Sequence, residues 1–416
     1  MKKSKRPESC SNVKMKSDRI SNLPSDVIDK ILSHLPLRDV ARTCVLSSKW
    51  RYKLVMLPHL VFDPECSSSI VDHVLLSHIG PVTKFKLSQG CKGLRDIDRW
   101  ILHLSRYSLK EFVVDLWMWE RQPVQRYKMP SCMFSCQDII HLKLRNFMLK
   151  PPSTFKGFRS LKSLDIEHVT LAQDVLEKMF LCCPLLTRFT LRDCDGFSRL
   201  KIDAPNLQFL VVCGSYEDFN VVNTLNLADV SMFFYNTRVP CSSSKLIKFF
   251  DDLPCIQRLQ INRRFLKYVA AGALLEKLPK PCLQLKFLKM NICTDDREDV
   301  LTALCLLRSS PALEELEILT NDFSHNTANV GTANSCLDHN RSYSFTQLRH
   351  VKICNISGLE GELDFIQFLL LCSPVLETVT ICWGVVHDTD ESLELVKKLL
   401  RLRRASGNVE IIYLDK

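Results

Sequence analysis

The sequence predicts an α/β protein: a short unit of three N-terminal helices followed by a solenoid of repeated strand and helix units. Apolar residues at helical spacing fill residues 18–60. After residue 60, the spacing apolar-x-x-apolar-x-apolar returns at intervals of about 20–30 residues, a period typical of solenoid repeats. Segments with helical periodicity separate several copies. Parallel strands are therefore expected on the concave side and helices on the convex side.

The first predicted helix begins near Pro24, which suits a first helical turn because its missing N–H would have no partner there. Four apolar residues then share one helical face: Ile28, Ile31, Leu32 and Leu35. Pro36 ends this helix.

A second helix after Pro36 carries Val40, and a third, capped by Ser47 or Ser48, carries Trp50 on its inner side. A unit of this size buries little surface. It also has more large apolar side chains than three short helices can hide, and each one left in water forgoes roughly 1.5–3 kcal/mol. The spare apolar face predicts a partner.

Residues 18–60 resemble the F-box of plant F-box proteins. The matching residues are Asp18-Arg19-Ile20, Leu23-Pro24, Ile28, Ile31-Leu32-Ser33, Leu35-Pro36, Val40, Arg42-Thr43, Val45-Leu46-Ser47 and Trp50-Arg51. Lys53-Leu54-Val55 stands where a second Trp commonly follows. The resemblance implies docking on the Skp-type linker of a cullin-based ubiquitin ligase. The expected contacts are Leu23, Pro24, Ile28, Ile31, Leu32, Leu35, Val40 and Trp50. A helical cap on the domain behind is the alternative.

Bulk composition indicates an ordinary globular protein, with 46% hydrophobic and 25% charged residues among 416. No apolar run approaches the roughly eighteen residues of a membrane span. The N-terminal MKKSKRPESC lacks the apolar core of a secretory signal. Nineteen cysteines without such a signal indicate reduced thiols. We therefore expect the cytoplasm, the nucleus or both, and no membrane partner.

The excess positive charge lies at the N-terminus rather than on the repeats. Residues 1–53 hold thirteen Lys or Arg and five Asp or Glu, a balance of +8 out of +10 for the chain. A nucleic-acid surface would gather cations on one face of the folded domain, so nucleic acid is not the expected partner. Residues 1–17 are predicted to be a disordered basic tail. Within it, Lys2-Lys3-Ser4-Lys5-Arg6 is either solvated or a weak nuclear-import signal.

The repeat pattern, typical of leucine-rich repeats, is predicted over residues 61–344. Its copies are Val82/Phe85/Leu87, Leu109/Phe112/Val114, Ile139/Leu142/Leu144, Leu161/Leu164/Ile166, Leu186/Phe189/Leu191, Leu207/Leu210/Val212, Ile256/Leu259/Ile261, Leu285/Leu288/Met290 and Leu313/Leu316/Ile318. Two further copies, Leu348/Val351/Ile353 and Leu376/Val379/Ile381, fall in residues 345–416. A degenerate copy is expected around Val222/Leu225/Leu227. Pro precedes several copies by two residues, where it can end a preceding helix.

Helical faces are predicted between the strands. They comprise Val175, Leu176, Met179 and Phe180, then Leu301, Leu304 and Leu307, then Phe365, Ile366, Leu369 and Leu370. At the end, a basic helix from Glu391 to Arg404 should turn Leu393, Val396, Leu399 and Leu400 inward. A last strand is predicted from Val409 to Leu414.

Residues 321–344, rich in Asn and Ser, have hardly any side chain to bury and are predicted to form a flexible loop. Residues 345–416 are assigned to a C-terminal unit of repeats and cap. The stretch from Ser344 to Ile381 resembles the FBD region of plant F-box proteins. The matching features are Phe345-x-x-Leu348-x-x-Val351-x-Ile353, Gly358, Gly361, Glu362-Leu363, a helix from Phe365 to Leu371 and Val375-Leu376-Glu377.

No catalytic or metal-binding motif is found. The cysteines form no C-x-x-C pair, and buried inert thiols are favoured over a metal site. Asp295-Asp296, with Glu298 and Asp299, is interpreted as a solvated helix start. Trp117 and Trp119 alternate on one side of a strand, where they either pack or contact a target. We expect no enzyme activity and no cofactor.

Two functions of different classes follow. The first is a substrate-recognition adaptor of an SCF-type ubiquitin ligase, whose helical unit binds the Skp-type linker, and through it a cullin, while the repeats hold an unknown protein substrate. The second is a non-catalytic leucine-rich-repeat scaffold acting outside a ligase. A nucleic-acid binder and a sensor of a small ligand stay open. The substrate-binding residues are unknown from the sequence.

Overall fold

The computed structural model describes residues 23–35, 37–43, 48–90, 96–117, 126–235, 245–270, 275–320, 337, 343–383 and 389–414. The predicted disordered tail, residues 1–17, lies outside them. So do Trp119 and most of the predicted loop at residues 321–344.

Three short helices form the N-terminal unit: α1 (Ser25–Ser33), α2 (Leu37–Thr43) and α3 (Ser48–Leu54). The later helices are α4 (Ser68–Ser77), α5 (Ile97–Leu104), α6 (Gln173–Cys182), α7 (Lys245–Asp251), α8 (Arg263–Ala270), α9 (Arg297–Arg308), α10 (Glu360–Cys372) and α11 (Thr389–Leu400).

The strands, in chain order, are β1 (His59–Phe62), β2 (Lys84–Gly90), β3 (Glu111–Trp117), β4 (Tyr127–Lys128), β5 (His141–Arg145), β6 (Phe147–Leu149), β7 (Ser163–Glu167), β8 (Thr170–Leu171), β9 (Arg188–Arg192), β10 (Arg199–Asp203), β11 (Phe209–Gly214), β12 (Asp218–Val222), β13 (Asp229–Phe234), β14 (Arg258–Ile261), β15 (Phe287–Ile292), β16 (Glu315–Thr320), β17 (His350–Ile356), β18 (Thr378–Trp383) and β19 (Glu410–Leu414).

Fourteen of these strands form one parallel sheet, hydrogen-bonded in chain order from β1 to β19. The other five form two small sheets, one of β4, β6 and β8 and one of β10 and β12. A long parallel sheet whose strands follow the chain is the architecture of a solenoid.

The strands form where the apolar spacing places alternate side chains on the inner face. Leu164 pairs in register with Phe189, and Phe189 with Leu210, so equivalent residues stack from one repeat to the next. Each buried side chain of this size contributes roughly 1.5–3 kcal/mol. One repeat cannot cover its own edge, so stacking supplies most of the stability.

All eleven predicted copies coincide with strands of the long sheet, and β19 confirms the predicted last strand. The sequence analysis missed β1, although Leu57, Leu60 and Phe62 carry the same spacing and are buried. The first strand of the sheet thus begins at His59, inside the segment assigned to the F-box.

The predicted degenerate copy at Val222/Leu225/Leu227 is wrong. Val222 belongs to β12 of a small sheet, and Leu225 is 63% exposed. The strand that continues the long sheet is β13, whose inward residues Leu227, Val230 and Met232 carry the regular spacing.

Between some strands of the long sheet the chain forms short strands instead of helices. The sequence analysis did not predict these short strands. Asn146, His168 and Asp193 each follow a strand of the long sheet and have positive φ values of 64°, 51° and 51°. Residues in this left-handed region turn the chain sharply. The turns after Asn146 and His168 lead into β6 and β8.

The predicted faces on α6, α9 and α10 are largely confirmed, since most of their apolar residues are buried. The prediction for α11 is wrong in part. Leu393 and Leu400 are exposed and Val396 is half-buried, whereas Leu395 and Leu399 face the core. The helix ends at Leu400 because the following residues turn toward β19.

The acidic start of α9 is only partly solvated, contrary to the sequence interpretation. Asp296 caps the helix by accepting hydrogen bonds from the backbone N–H groups of Glu298 and Asp299. The Asp299 side chain, however, is 1% exposed because the Arg263 guanidinium on α8 pairs with it. Of the predicted loop at residues 321–344, the described Leu337 is buried, at 5% exposed.

One apolar core runs from the helical unit into the repeats. Ile28 and Trp50 belong to the same buried cluster as Leu60 of β1 and Val71 of α4. Arg38 of α2 also pairs with Glu65 after β1, at 2.9 Å. Within the described residues, no helix has the length and apolarity needed to cross a membrane.

Candidate docking surfaces

Hydrogen bonds and charged residues at both ends stabilise helix α1. The Ile28 N–H donates to the Pro24 carbonyl at 3.1 Å, which closes the first turn behind the proline. Asp26 lies in the first turn and Lys30 in the last, where each charge complements the helix dipole. The His34 N–H donates to the Ile31 carbonyl at 3.2 Å where the helix ends.

The apolar residues of α1 divide between two faces. Ile28 and Leu32 are 0% and 1% exposed. Val27, Ile31 and Leu35, spaced four residues apart, are 38%, 39% and 36% exposed. We call Val27, Ile31 and Leu35 the outer stripe. Residues four apart are neighbours on a helix, so these side chains form a continuous apolar strip in water.

Polar contacts from α3 hold α1 in place. Lys53 Nζ lies 2.5 Å from Asp29 Oδ2, and Lys49 Nζ donates to the Leu23 carbonyl at 2.6 Å. Trp50 of α3 is 3% exposed and belongs to the same buried cluster as Ile28 and Leu32 of α1. Helix α1 therefore cannot easily rotate to hide its outer stripe.

The eight residues expected at the linker interface have different surroundings. Ile28, Leu32, Val40 and Trp50 are buried within the chain, Leu23 is half-buried, and Pro24, Ile31 and Leu35 are exposed. The role of all eight in linker binding stays a prediction. Sequence reasoning missed Val27, which could have been found because it lies four residues before Ile31.

The outward face of the long sheet is a second candidate surface. Its charges are matched between neighbouring strands: Lys84 with Glu111 at 3.0 Å, Lys143 with Asp165 at 3.0 Å, Arg145 with Glu167 at 3.3 Å, and Lys289 with Glu317 at 2.8 Å. Partly exposed pairs of this kind contribute about 0.2–1 kcal/mol each.

The middle of this face is less charged. Three residues that point outward from β9, β11 and β13 are nevertheless buried: Thr190, Val211 and Ser231. At the edge of this region, the Arg188 guanidinium lies 3.9 Å from the centre of the Phe209 ring, and that of Arg258 lies 4.0 Å from the Phe287 ring. Trp117 is half-buried on the same face. The surface offers aromatic and guanidinium groups for contact.

A cleft of about 690 Å³ lies outside the long sheet, between residues 131–137 and residues 152–159. The Phe134 and Phe155 rings meet edge to face in it, with centres 5.2 Å apart, and Lys156 and Arg159 stand at its rim. In the part of the chain that the structure describes, no group of three or more His, Cys, Asp and Glu residues could hold a metal ion.

The buried ionisable groups near α8 and α9 serve the fold. Burial opposes ionisation of Asp296, but Lys267 and Arg263 outweigh it and lower its pKa. Burial raises the pKa of Asp299 despite its hydrogen bond from the Cys293 N–H and the charge of Arg263. These groups join α8 to α9 through ion pairs.

Comparison with known proteins adds independent information. The model of the F-box domain matches residues 20–60. The model described as FBD-associated F-box protein At5g56370, LRR repeats, matches residues 97–318, about half of the chain.

Relatives of similar length come from Arabidopsis thaliana. The chain is 36% identical to F-box/FBD/LRR-repeat protein At1g13570 over 96% of its own length and 99% of that protein. It is 26% identical to probable FBD-associated F-box protein At1g32375 over 95% of its own length and 100% of that protein. The matched F-box segment contains the outer stripe of α1.

Proposed function

This chain belongs to the family of F-box/FBD/LRR-repeat proteins, and from that premise we propose that it is a substrate adaptor of an SCF-type ubiquitin ligase. The outer stripe binds a Skp-type linker, and through it a cullin. The outward face of the long sheet holds a protein target. The adaptor makes and breaks no bond; it raises the effective concentration of the target near the transfer site.

The exposed outer stripe is the observation that carries the proposal. The structure holds three large apolar side chains in water on a helix already fixed by Lys53 and Asp29. An exposed apolar strip of this kind is typical of a protein–protein contact. Burying it against a linker recovers stabilisation that the isolated chain forgoes.

The continuous core supports a fixed geometry between the two surfaces. The helical unit packs directly on the repeats, because its residues share one buried cluster with β1 and α4. A target on the sheet is then held at a set distance from the linker. The same packing gives the helical unit a capping role. A scaffold acting outside a ligase is therefore the second candidate.

Removal of residues 1–60 does not separate these candidates, because it cuts through β1 and the shared core. A surface substitution does. We expect Ile31→Asp to weaken binding of a purified Skp-type linker by tenfold or more, about 1.4 kcal/mol, since an unpaired carboxylate would be desolvated at the contact. Val27→Asp should act in the same way.

Leu102→Asp is the matched control, because Leu102 is 51% exposed on α5, away from the outer stripe. Calorimetric titration measures affinity, and circular dichroism checks folding. If Ile31→Asp and Val27→Asp, both folded, bind the linker as the parent does, the adaptor function is wrong and the scaffold is favoured.

A further inference from the structure

Two cysteines occupy equivalent positions in consecutive repeats. Both end the sequence Val-x-Ile-Cys, once at residues 351–354 and once at residues 379–382. In the structure Cys354 of β17 pairs in register with Cys382 of β18. The inward residues before them, Ile353 and Ile381, are buried, so both thiols lie on the outward face.

Both thiols are accessible, since Cys354 and Cys382 are half-exposed, whereas Cys194, Cys282 and Cys305 are buried. They are also close enough to influence each other. Burial raises the pKa of Cys354 to about 11, and the neighbouring Cys382 thiol adds to that rise. The pair is therefore a preformed dithiol open to solvent.

We propose that Cys354 and Cys382 form a two-thiolate binding site for the soft cation Cu(I). Thiolates select Cu(I) over hard cations. Structural Zn²⁺ sites have four ligands, and the described residues bring no third His, Cys, Asp or Glu to this pair. Two sulfur ligands suit a monovalent ion of low coordination number.

The register of the two strands brings both thiols within reach of one bridging ion. Neighbouring strands lie about 4.7–4.9 Å apart, a spacing within the range of about 4.4–6.8 Å that separates the Cα atoms of a disulfide, so oxidation competes with metal binding at this pair. Binding exchanges two thiol protons for one Cu(I), so a neutral pair becomes a complex with one negative charge. The exposed Lys352, two residues before Cys354, favours a negative charge at this pair, and Glu317 of β16 opposes it.

The test uses the full reduced chain under anaerobic conditions, with Cu(I) supplied from its bathocuproine disulfonate complex. Other cysteines can bind copper too. The measured quantity is therefore the one equivalent of bound Cu(I) that a variant loses relative to the parent chain. We expect Cys354→Ser and Cys382→Ser each to lower the affinity of the chain for that one Cu(I) ion at least a hundredfold. Cys255→Ser, which changes another half-exposed cysteine, should leave it unchanged.

Unchanged copper binding by either folded single variant overturns the proposal. So does a Cys354–Cys382 disulfide on mild oxidation in a chain that shows no such equivalent when reduced.

Discussion

Arg263 of α8 donates to the carboxylate of Asp299 of α9, and this ion pair is buried on the Asp299 side, which is 1% exposed. The same guanidinium reaches Asp296 Oδ2 at 2.7 Å, where Lys267 Nζ also lies at 2.7 Å. The two helices of neighbouring repeats are thus joined by charge as well as by apolar packing.

We expect Arg263→Gln to destabilise the chain by about 3 kcal/mol, the lower end of the range for breaking a buried ion pair, because the buried Asp299 carboxylate keeps the more distant Lys267 Nζ, 3.8 Å from its Oδ1. The free energy of unfolding in urea measures the effect. Arg349→Gln is the control: Arg349 pairs with Glu377 at 2.5 Å on the surface, and its loss should cost about 1 kcal/mol or less. Equal costs for the two variants would mean that burial does not set the strength of the Arg263 pair.

The Glu362 carboxylate organises the loop before α10. It accepts hydrogen bonds from the backbone N–H groups of Ser357, Gly358 and Leu359 at 2.9, 2.8 and 3.1 Å. Glu362→Ala should cost roughly 2–4 kcal/mol, because these donors lose their acceptor. Glu360→Ala removes an exposed carboxylate from the same helical turn and should change stability by about 0.5 kcal/mol at most. Thermal unfolding of both variants, converted to free energy, gives the comparison; similar values would contradict this role for Glu362.

Gly157 packs against the end of α6. Its φ is +86°, and a Cβ there would lie 2.1 Å from the Cys182 carbonyl oxygen. Gly157→Ala therefore combines an overpacked contact with an unfavourable backbone conformation and should cost roughly 2–4 kcal/mol. Gly407→Ala is the control, since nothing lies within 4 Å of a Cβ at that position. The Tm of the two variants measures the difference, and an unchanged Tm for Gly157→Ala would show that α6 shifts freely.

Two histidines near the start of the repeats should make stability depend on pH. Burial lowers the pKa of His78, which His103 lowers further, while the nearby backbone of Gly80 and Pro81 opposes the change. Burial also lowers the pKa of His103, and Arg106 adds to this. An unfolded histidine, with a pKa of about 6.5, binds a proton before the folded one does.

The free energy of unfolding should therefore be highest above about pH 6.5 and fall as the pH drops below it, by up to about 1.4 kcal/mol per pH unit for His78. Urea unfolding at pH 7.5 and 5.5 measures this slope. His78→Phe should reduce the slope, whereas His141→Phe, at an exposed position on β5, should keep it. If His78→Phe leaves the slope as in the parent, other groups cause the pH dependence.

The repeats show most clearly how much of the structure can be predicted from the sequence. A strand needs only that its own alternate residues be apolar, so Leu164 and Ile166 marked β7 without any knowledge of their neighbours. The same reasoning placed the F-box segment. It failed at Leu225, because an apolar residue in a turn satisfies the spacing as well as one in a strand does.

The chain's periodicity alone determined the class of fold, most strand positions and the presence of a surplus apolar face near the N-terminus. Only the tertiary structure decided which residues carry that surplus, because Lys53 and Trp50, distant in sequence, fix the rotation of α1 and leave Val27 and Ile31 outside. Tertiary structure also buried Asp299 beside Arg263 and brought Cys354 beside Cys382. Both pairings join residues about one repeat apart, and such distances depend on how repeats stack rather than on any local pattern.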